Sequence, residues 1–173
     1  WREVSMEKKA ECIEAMRAVS LKHAQEMANM AHLETGIGRP EDKVKKNILQ
    51  AKKTPGLEDL KPRVITGDRG LTLFEPVPFG VLCSITPTTN PVATIINNSI
   101  TMLSAGNAVV FNPHPRAKKC SLRMIALLNQ AIVAAGGPPD LLCSLAEPTM
   151  DSSIALMNHP GIRCLVVTGG PGV

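Results

Sequence analysis

The chain has 173 residues, a net charge of +4 from 19 Lys+Arg and 15 Asp+Glu, and 44% hydrophobic residues. This is globular composition, not that of a disordered or collagen-like chain. One Trp, three Phe and no Tyr give no stacking platform for nucleic acid, and no apolar run has the roughly 18 residues of a membrane span. No basic-then-apolar segment opens the chain, so no signal peptide is expected. Cys12, Cys83, Cys120, Cys143 and Cys164 form no CxxC pair, which excludes a zinc ribbon and argues against a disulfide framework. No metal site is expected, and reduced thiols in a cytosol-like compartment fit best.

Residues 4–34 read as one helix, with Ile13, Met16, Val19, Met27, Met30 and Leu33 at helical spacing. Gly36 and Gly38 end it. Pro40, Glu41 and Asp42 then open a second helix reaching about Ala51. Its lysines, Lys43, Lys45, Lys46, Lys52 and Lys53, read as a solvated face, with an anionic partner as the alternative. Pro55-Gly56 is a turn. Over 64–79, Val64-Ile65, Gly67-Asp68-Arg69-Gly70 and Leu71-Thr72-Leu73-Phe74 predict an extended arm with a turn. Pro76 and Pro78 exclude helix and disfavour a central strand. The arm reads as an edge or oligomerisation strand, or equally as a surface meander.

From Gly80 the pattern becomes regular. Short apolar runs at 81–85, 108–111, 141–145 and 163–167 alternate with helix-length stretches at 92–104, 117–135 and 151–158. That β-α-β-α-β-α-β order predicts a Rossmann-type α/β fold, a parallel sheet with helices on both faces. The N-terminal helices, 1–63, and the arm, 64–79, precede it, and 80–173 is the first part of the nucleotide-binding sheet. Right-handed crossovers place every strand-to-helix loop on one sheet edge, where ligands bind. Trp1 at the start, and a strand running into a glycine turn at the end, suggest a piece of something larger.

Three loops therefore carry the expected function. Thr86-Pro87-Thr88-Thr89-Asn90-Pro91 sets hydroxyls and an amide between prolines, able to present fixed donors to an oxyanion or simply to cap the next helix. Asn112-Pro113-His114-Pro115-Arg116 holds polar groups at a strand end. His114 reads as an acid or base, a stacking group or a surface residue. Arg116, Lys118 and Lys119 read as phosphate contacts or a solvated helix start. Thr168-Gly169-Gly170-Pro171-Gly172 brings backbone amides near an anion or forms a plain turn. Cys83, Cys143 and Cys164 fall in predicted strands as small buried hydrophobes. Cys120, beside two lysines, is the candidate for a lowered pKa. No convincing nucleophile is present.

At these loops the chain resembles the N-terminal part of a CoA-acylating aldehyde dehydrogenase, the propionaldehyde and acetaldehyde dehydrogenases of bacterial microcompartments in particular. The matching stretches are Glu34-Thr35-Gly36, Glu41-Asp42-Lys43, Thr54-Pro55-Gly56, Thr66-Gly67-Asp68, the first loop, Ala105-Gly106-Asn107, Asn112-Pro113-His114-Pro115 and the final glycine turn. The resemblance implies an aldehyde-dehydrogenase-like fold whose catalytic domain, with the nucleophilic cysteine, is absent here. It implies oxidation of a short aldehyde, propanal or acetaldehyde, to acyl-CoA through a cysteine thioester, with NAD as cofactor and coenzyme A as cosubstrate. It also implies a homo-oligomer, dimer or tetramer, in the cytoplasm or inside a microcompartment beside its shell, without nucleic acid or membrane partners. Carried over position by position, Asn90 or Thr89 serves the oxyanion hole. Thr86, Pro87, Thr88, Asn112, Pro113, His114, Pro115, Arg116, Thr168, Gly169 and Gly170 become the cofactor contacts. In non-acylating relatives a lysine and a glutamate stand where Asn112 and Pro115 stand here, so their ribose contacts are missing.

Overall fold

The computed structural model describes residues 1–170. The N-terminal helical stretch is two helices, α1 (Met6–Lys22) and α2 (Ala24–Thr35), not one. The chain bends at His23, whose φ of −101° and ψ of 10° leave the helical region. Hydrogen bonds run across the bend, from the His23 amide to Val19 O (3.0 Å) and from the Met27 amide to His23 O (2.9 Å). Apolar spacing runs across it too. Buried Met16 and Met27 lie eleven residues, about three turns, apart, so periodicity alone sees one helix.

Helix α3 (Pro40–Lys53) begins with Pro at its first position, carries Glu41 and Asp42 in its first turn, and ends on Lys52 and Lys53, in line with the helix dipole. Arg17 of α1 caps its far end, donating to Ala51 O and Thr54 O at 2.8 Å each. Strands β1 (Arg63–Gly67) and β2 (Gly70–Phe74) then pair as an antiparallel hairpin turning at Asp68-Arg69, with all of their residues exposed.

The main sheet is parallel. It consists of β3 (Val81–Thr86), β4 (Ala108–Pro113), β5 (Leu142–Ser144) and β6 (Ile162–Val167), in spatial order β5-β4-β3-β6. Helices α4 (Pro91–Ser104) and α5 (Lys118–Ala134) connect β3 to β4 and β4 to β5. Helix α6 (Met150–Met157) carries the chain back to β6, on the far side of β3. The strands are short, apolar and connected by helices, as the sequence pattern predicts.

Leu82, Val109 and Leu142 align across the sheet, as do Ser84 and Phe111, and these residues are buried in the main core with α4, α5 and the N-terminal helices. The Asn98 amide of α4 donates to Ser84 Oγ at 2.9 Å. The other face carries Cys83, Val110, Asn112 and Cys143, and α6, none of whose residues is buried, covers it thinly. Two expected core cysteines are thereby corrected. Cys143 is exposed, because its edge strand turns it to the thin face, and Cys164 is half-buried; Cys83, on the central strand, is fully buried.

Entry into β3 is set by Ala105-Gly106-Asn107. Gly106 has φ +82° and a Cβ there would stand 3.3 Å from Pro78. The Asn107 side-chain oxygen accepts from the Phe79 (2.7 Å) and Gly80 (3.1 Å) amides.

The start of α5 is sealed from a distance. The Glu34 carboxylate of α2 accepts from the backbone amides of Lys119 and Cys120, each at 2.7 Å. These are two of the four amides a helix leaves unpaired at its first turn. Removing the carboxylate by Glu34→Ala is expected to destabilise the fold by about 1–2 kcal/mol. Urea unfolding checks this, and an unchanged midpoint would show that the cap contributes nothing.

Candidate active-site cleft

The three sequence-predicted loops end on the same edge of the sheet and meet in one cleft of about 590 Å³. That volume suits a small-molecule or cofactor site. The cleft lies where the strand order reverses: β3 and β6 are neighbours, yet the chain leaves β3 in one direction and reaches β6 from the other. The Thr168 amide extends the β3–β6 pairing by donating to Ile85 O at 3.1 Å, and the His114 amide donates to Thr86 O at 3.2 Å. All three loops are thus tied to the end of β3.

Of the thirteen residues singled out above, twelve line this cleft: Thr86, Pro87, Thr88, Thr89, Asn90, Asn112, Pro113, His114, Pro115, Thr168, Gly169 and Gly170. Arg116 does not. Its guanidinium donates to Thr35 O at 3.1 Å, fastening the second loop to α2. Pro171 and Gly172 of the final turn lie outside the described residues. Thr94 and Ser153, neither of them a sequence-predicted site residue, also line the cleft. Thr94 sits one turn after Asn90 and was legible from helical spacing; Ser153 arrives only through the crossover of α6.

The first loop is held from below by two lysines. Lys43 Nζ donates to Thr89 O at 2.9 Å, and Lys46 Nζ donates to Asn90 Oδ1 at 3.0 Å. Lys43 is only 6% exposed, so the expectation of a fully solvated lysine face is corrected at this residue. Burial, then the neighbouring Lys46 charge, hold its pKa below the ordinary lysine value, against an opposing pull from Cys120. Asn90 precedes the first residue of α4 but makes no side-chain cap bond. Its oxygen, the usual capping acceptor, is on Lys46 instead.

In the second loop, His114 Nδ1 accepts from the Arg116 amide at 3.1 Å, which places the neutral imidazole's proton on Nε2. Ser153 donates to the buried Asn112 side-chain oxygen at 3.3 Å, joining α6 to the loop. The Thr86 hydroxyl is buried without a hydrogen-bond partner. Among the described residues, the cleft lining contains no carboxylate and no cysteine.

Cys120 is not the activated thiol that its lysine neighbours suggested. It is fully buried, and its pKa is pushed up to about 12, first by burial and then by the Glu34 carboxylate. Lys118 is itself neutralised by an ion pair with Glu147.

Over its whole length, residues 1–173, the sequence matches the model of the aldehyde dehydrogenase family. The chain belongs to that family. It is 56% identical over 161 residues to the acetylating acetaldehyde dehydrogenase EutE of Salmonella typhimurium, a match covering 93% of this chain and 34% of that protein. It superposes on the propionaldehyde dehydrogenase of Rhodopseudomonas palustris, solved with bound CoA and an acylated cysteine, with a TM-score of 0.94 and 48% identity, over 98% of this chain and 39% of that one. It also superposes on a propionaldehyde dehydrogenase from the fucose utilisation bacterial microcompartment of Clostridium phytofermentans, with a TM-score of 0.95 and 48% identity, over 99% and 39%. The chain spans about a third of the length of the curated relatives it matches.

Among the described residues of this aldehyde dehydrogenase segment, the cleft is thus lined by neither carboxylate nor thiol. Alkylation with iodoacetamide at pH 8 is expected to modify exposed Cys143 and to leave Cys120 intact until the protein unfolds. Peptide mass mapping reads this directly, and early labelling of Cys120 would contradict it.

Proposed function

We propose that the protein carrying this segment is an NAD-dependent, CoA-acylating aldehyde dehydrogenase. It oxidises a short aldehyde, propanal or acetaldehyde, to its acyl-CoA through a cysteine thioester, with the cysteine outside this chain. The observation that carries the reading is the meeting of three polar, proline- and glycine-stiffened loops at the reversal of strand order. The likeness to acylating relatives, one of them solved with CoA and an acylated cysteine, supports it.

The residues present fit a dinucleotide. The buried Thr86 hydroxyl lacks a partner, the lining among the described residues bears no carboxylate to repel phosphate, and Gly169-Gly170 allow close backbone approach. Thr168, Gly169 and Gly170 would hold the pyrophosphate, with Thr86, Pro87 and Thr88 and the Asn112–Pro115 loop along the remainder. NAD, when bound, supplies the hydride acceptor. The Asn90 amino group, whose partner oxygen is engaged by Lys46, is the donor offered to an oxyanion, with the Thr89 segment beside it.

The expected result with the full-length protein is NADH formation from propanal that requires coenzyme A, followed by absorbance at the nicotinamide band. Turnover indifferent to coenzyme A would favour a non-acylating aldehyde dehydrogenase. A second reading, a nucleotide-binding piece without catalysis, is favoured by the lack of a cysteine in the described lining. For the 173-residue chain alone, calorimetry showing NAD binding without turnover fits both readings, whereas no binding would leave it a structural piece.

We also propose that the hairpin serves self-association into a dimer or tetramer, inside a bacterial microcompartment like that of the Clostridium neighbour. An isolated two-stranded hairpin is marginal in water, and this one exposes Val64, Ile65, Leu71, Leu73 and Phe74. Leu71→Lys with Leu73→Lys is expected to lower the mass measured by light scattering, and an unchanged mass would remove the arm from the interface.

A further inference from the structure

The lysines beneath the first loop sit where a simpler arrangement was available. An asparagine just before a helix ordinarily turns its side-chain oxygen onto the free amides of the first turn. Asn90 does not; Lys46 Nζ, 3.0 Å away, takes that oxygen. A lysine ammonium has three donors and no acceptor, so it can meet the amide only at oxygen. The contact therefore decides which way round the amide stands. The oxygen faces α3, and the two N–H donors are what remain for the cleft.

Lys43, one turn earlier on α3, secures the preceding residue by its carbonyl, Thr89 O, at 2.9 Å. The Thr94 hydroxyl holds the Asn90 carbonyl at 2.8 Å from the other side. Loop backbone and amide orientation are thus set by separate contacts, two of them cationic.

We propose that Lys43 and Lys46 are positioning residues that preorganise Asn90 as a hydrogen-bond donor, Lys43 by fixing the loop and Lys46 by fixing the amide. The inference rests on the reading of Asn90 as the oxyanion donor. Neither lysine touches the reacting atoms. Both act through the loop, and a donor is worth most when no reorganisation is needed at the moment of reaction.

The test uses the full-length protein with propanal, coenzyme A and NAD. Lys46→Met keeps the aliphatic stem and removes the donor, and because Lys46 is exposed the variant retains its fold. Loss of a preorganised oxyanion donor costs roughly 100- to 1,000-fold in kcat, and loss of its orientation a part of that, about tenfold. Lys46→Met is therefore expected to lower kcat about tenfold, with the KM for propanal and the Kd for NAD unchanged. Lys46→Arg, which restores a donor, is expected to recover most of the loss. Lys43→Met is expected to lower kcat in the same way. The decisive readout is the double variant: in an Asn90→Ala background, where no amide is left to orient, Lys46→Met should cost nothing further. Equal losses in both backgrounds, or an unchanged kcat for Lys46→Met beside a damaged Asn90→Ala, would overturn the clamp and leave the reading of Asn90 standing. An unchanged kcat for Asn90→Ala would overturn that reading and the clamp with it.

Discussion

A parallel sheet built with right-handed crossovers can reverse its direction of growth only by sending a helix to its other face. Here the reversal comes at β3. Growth to β4 and β5 puts α4 and α5 against the main core, and the return to β6 puts α6 on the opposite face. The described ends of β3 and β6 then lie side by side on one edge, and the cleft opens between the residues that follow them. Cleft position, thin cover on the second face and exposure of Cys143 all follow from that reversal.

The helices before the sheet do more than fill a layer, because their polar side chains reach the loops. Glu34 seals α5, Arg17 closes α3, and Lys43 and Lys46 hold the loop after β3. Each contact pairs a charged group with backbone or amide atoms that a helix end or turn leaves over. Gln50 and Thr54 extend the pattern, both accepting from the Asn97 amide of α4. The N-terminal helices thus act as a brace on the cleft edge of the sheet.

Much of this was legible from residue order. Short apolar runs between helix-length stretches predict the four strands, and Pro, Asn, Thr and Gly at their ends mark the cleft residues, Arg116 apart. What was not legible depends on distant partners. A lysine in a run of lysines looks solvated, and only the arrival of the Thr89 carbonyl makes Lys43 a buried donor. Arg116 looks like a phosphate ligand until α2 presents Thr35 O. Lysines beside Cys120 promise a lowered pKa, but burial and Glu34 reverse the sign. The bend at His23 has no glycine or proline to announce it. Local propensity and periodicity cannot register contacts between residues dozens of positions apart.

Those distant partners also explain why only one of two similar helix starts faces an open site. Helices α4 and α5 begin on the same edge of the sheet, each following a proline-rich loop. At α5 a carboxylate already occupies the first-turn amides, so an incoming anion would meet both a filled site and a negative charge. At α4 the side chain of the capping residue, Asn90, is drawn away by Lys46, and no carboxylate lines the adjoining cleft among the described residues. Glu34 closes one terminus and Lys46 keeps Asn90 off the other, so of the two helix starts it is the one beside β3 whose first-turn amides carry no side-chain cap. Both effects come from single polar residues on helices that contribute no strand to the sheet.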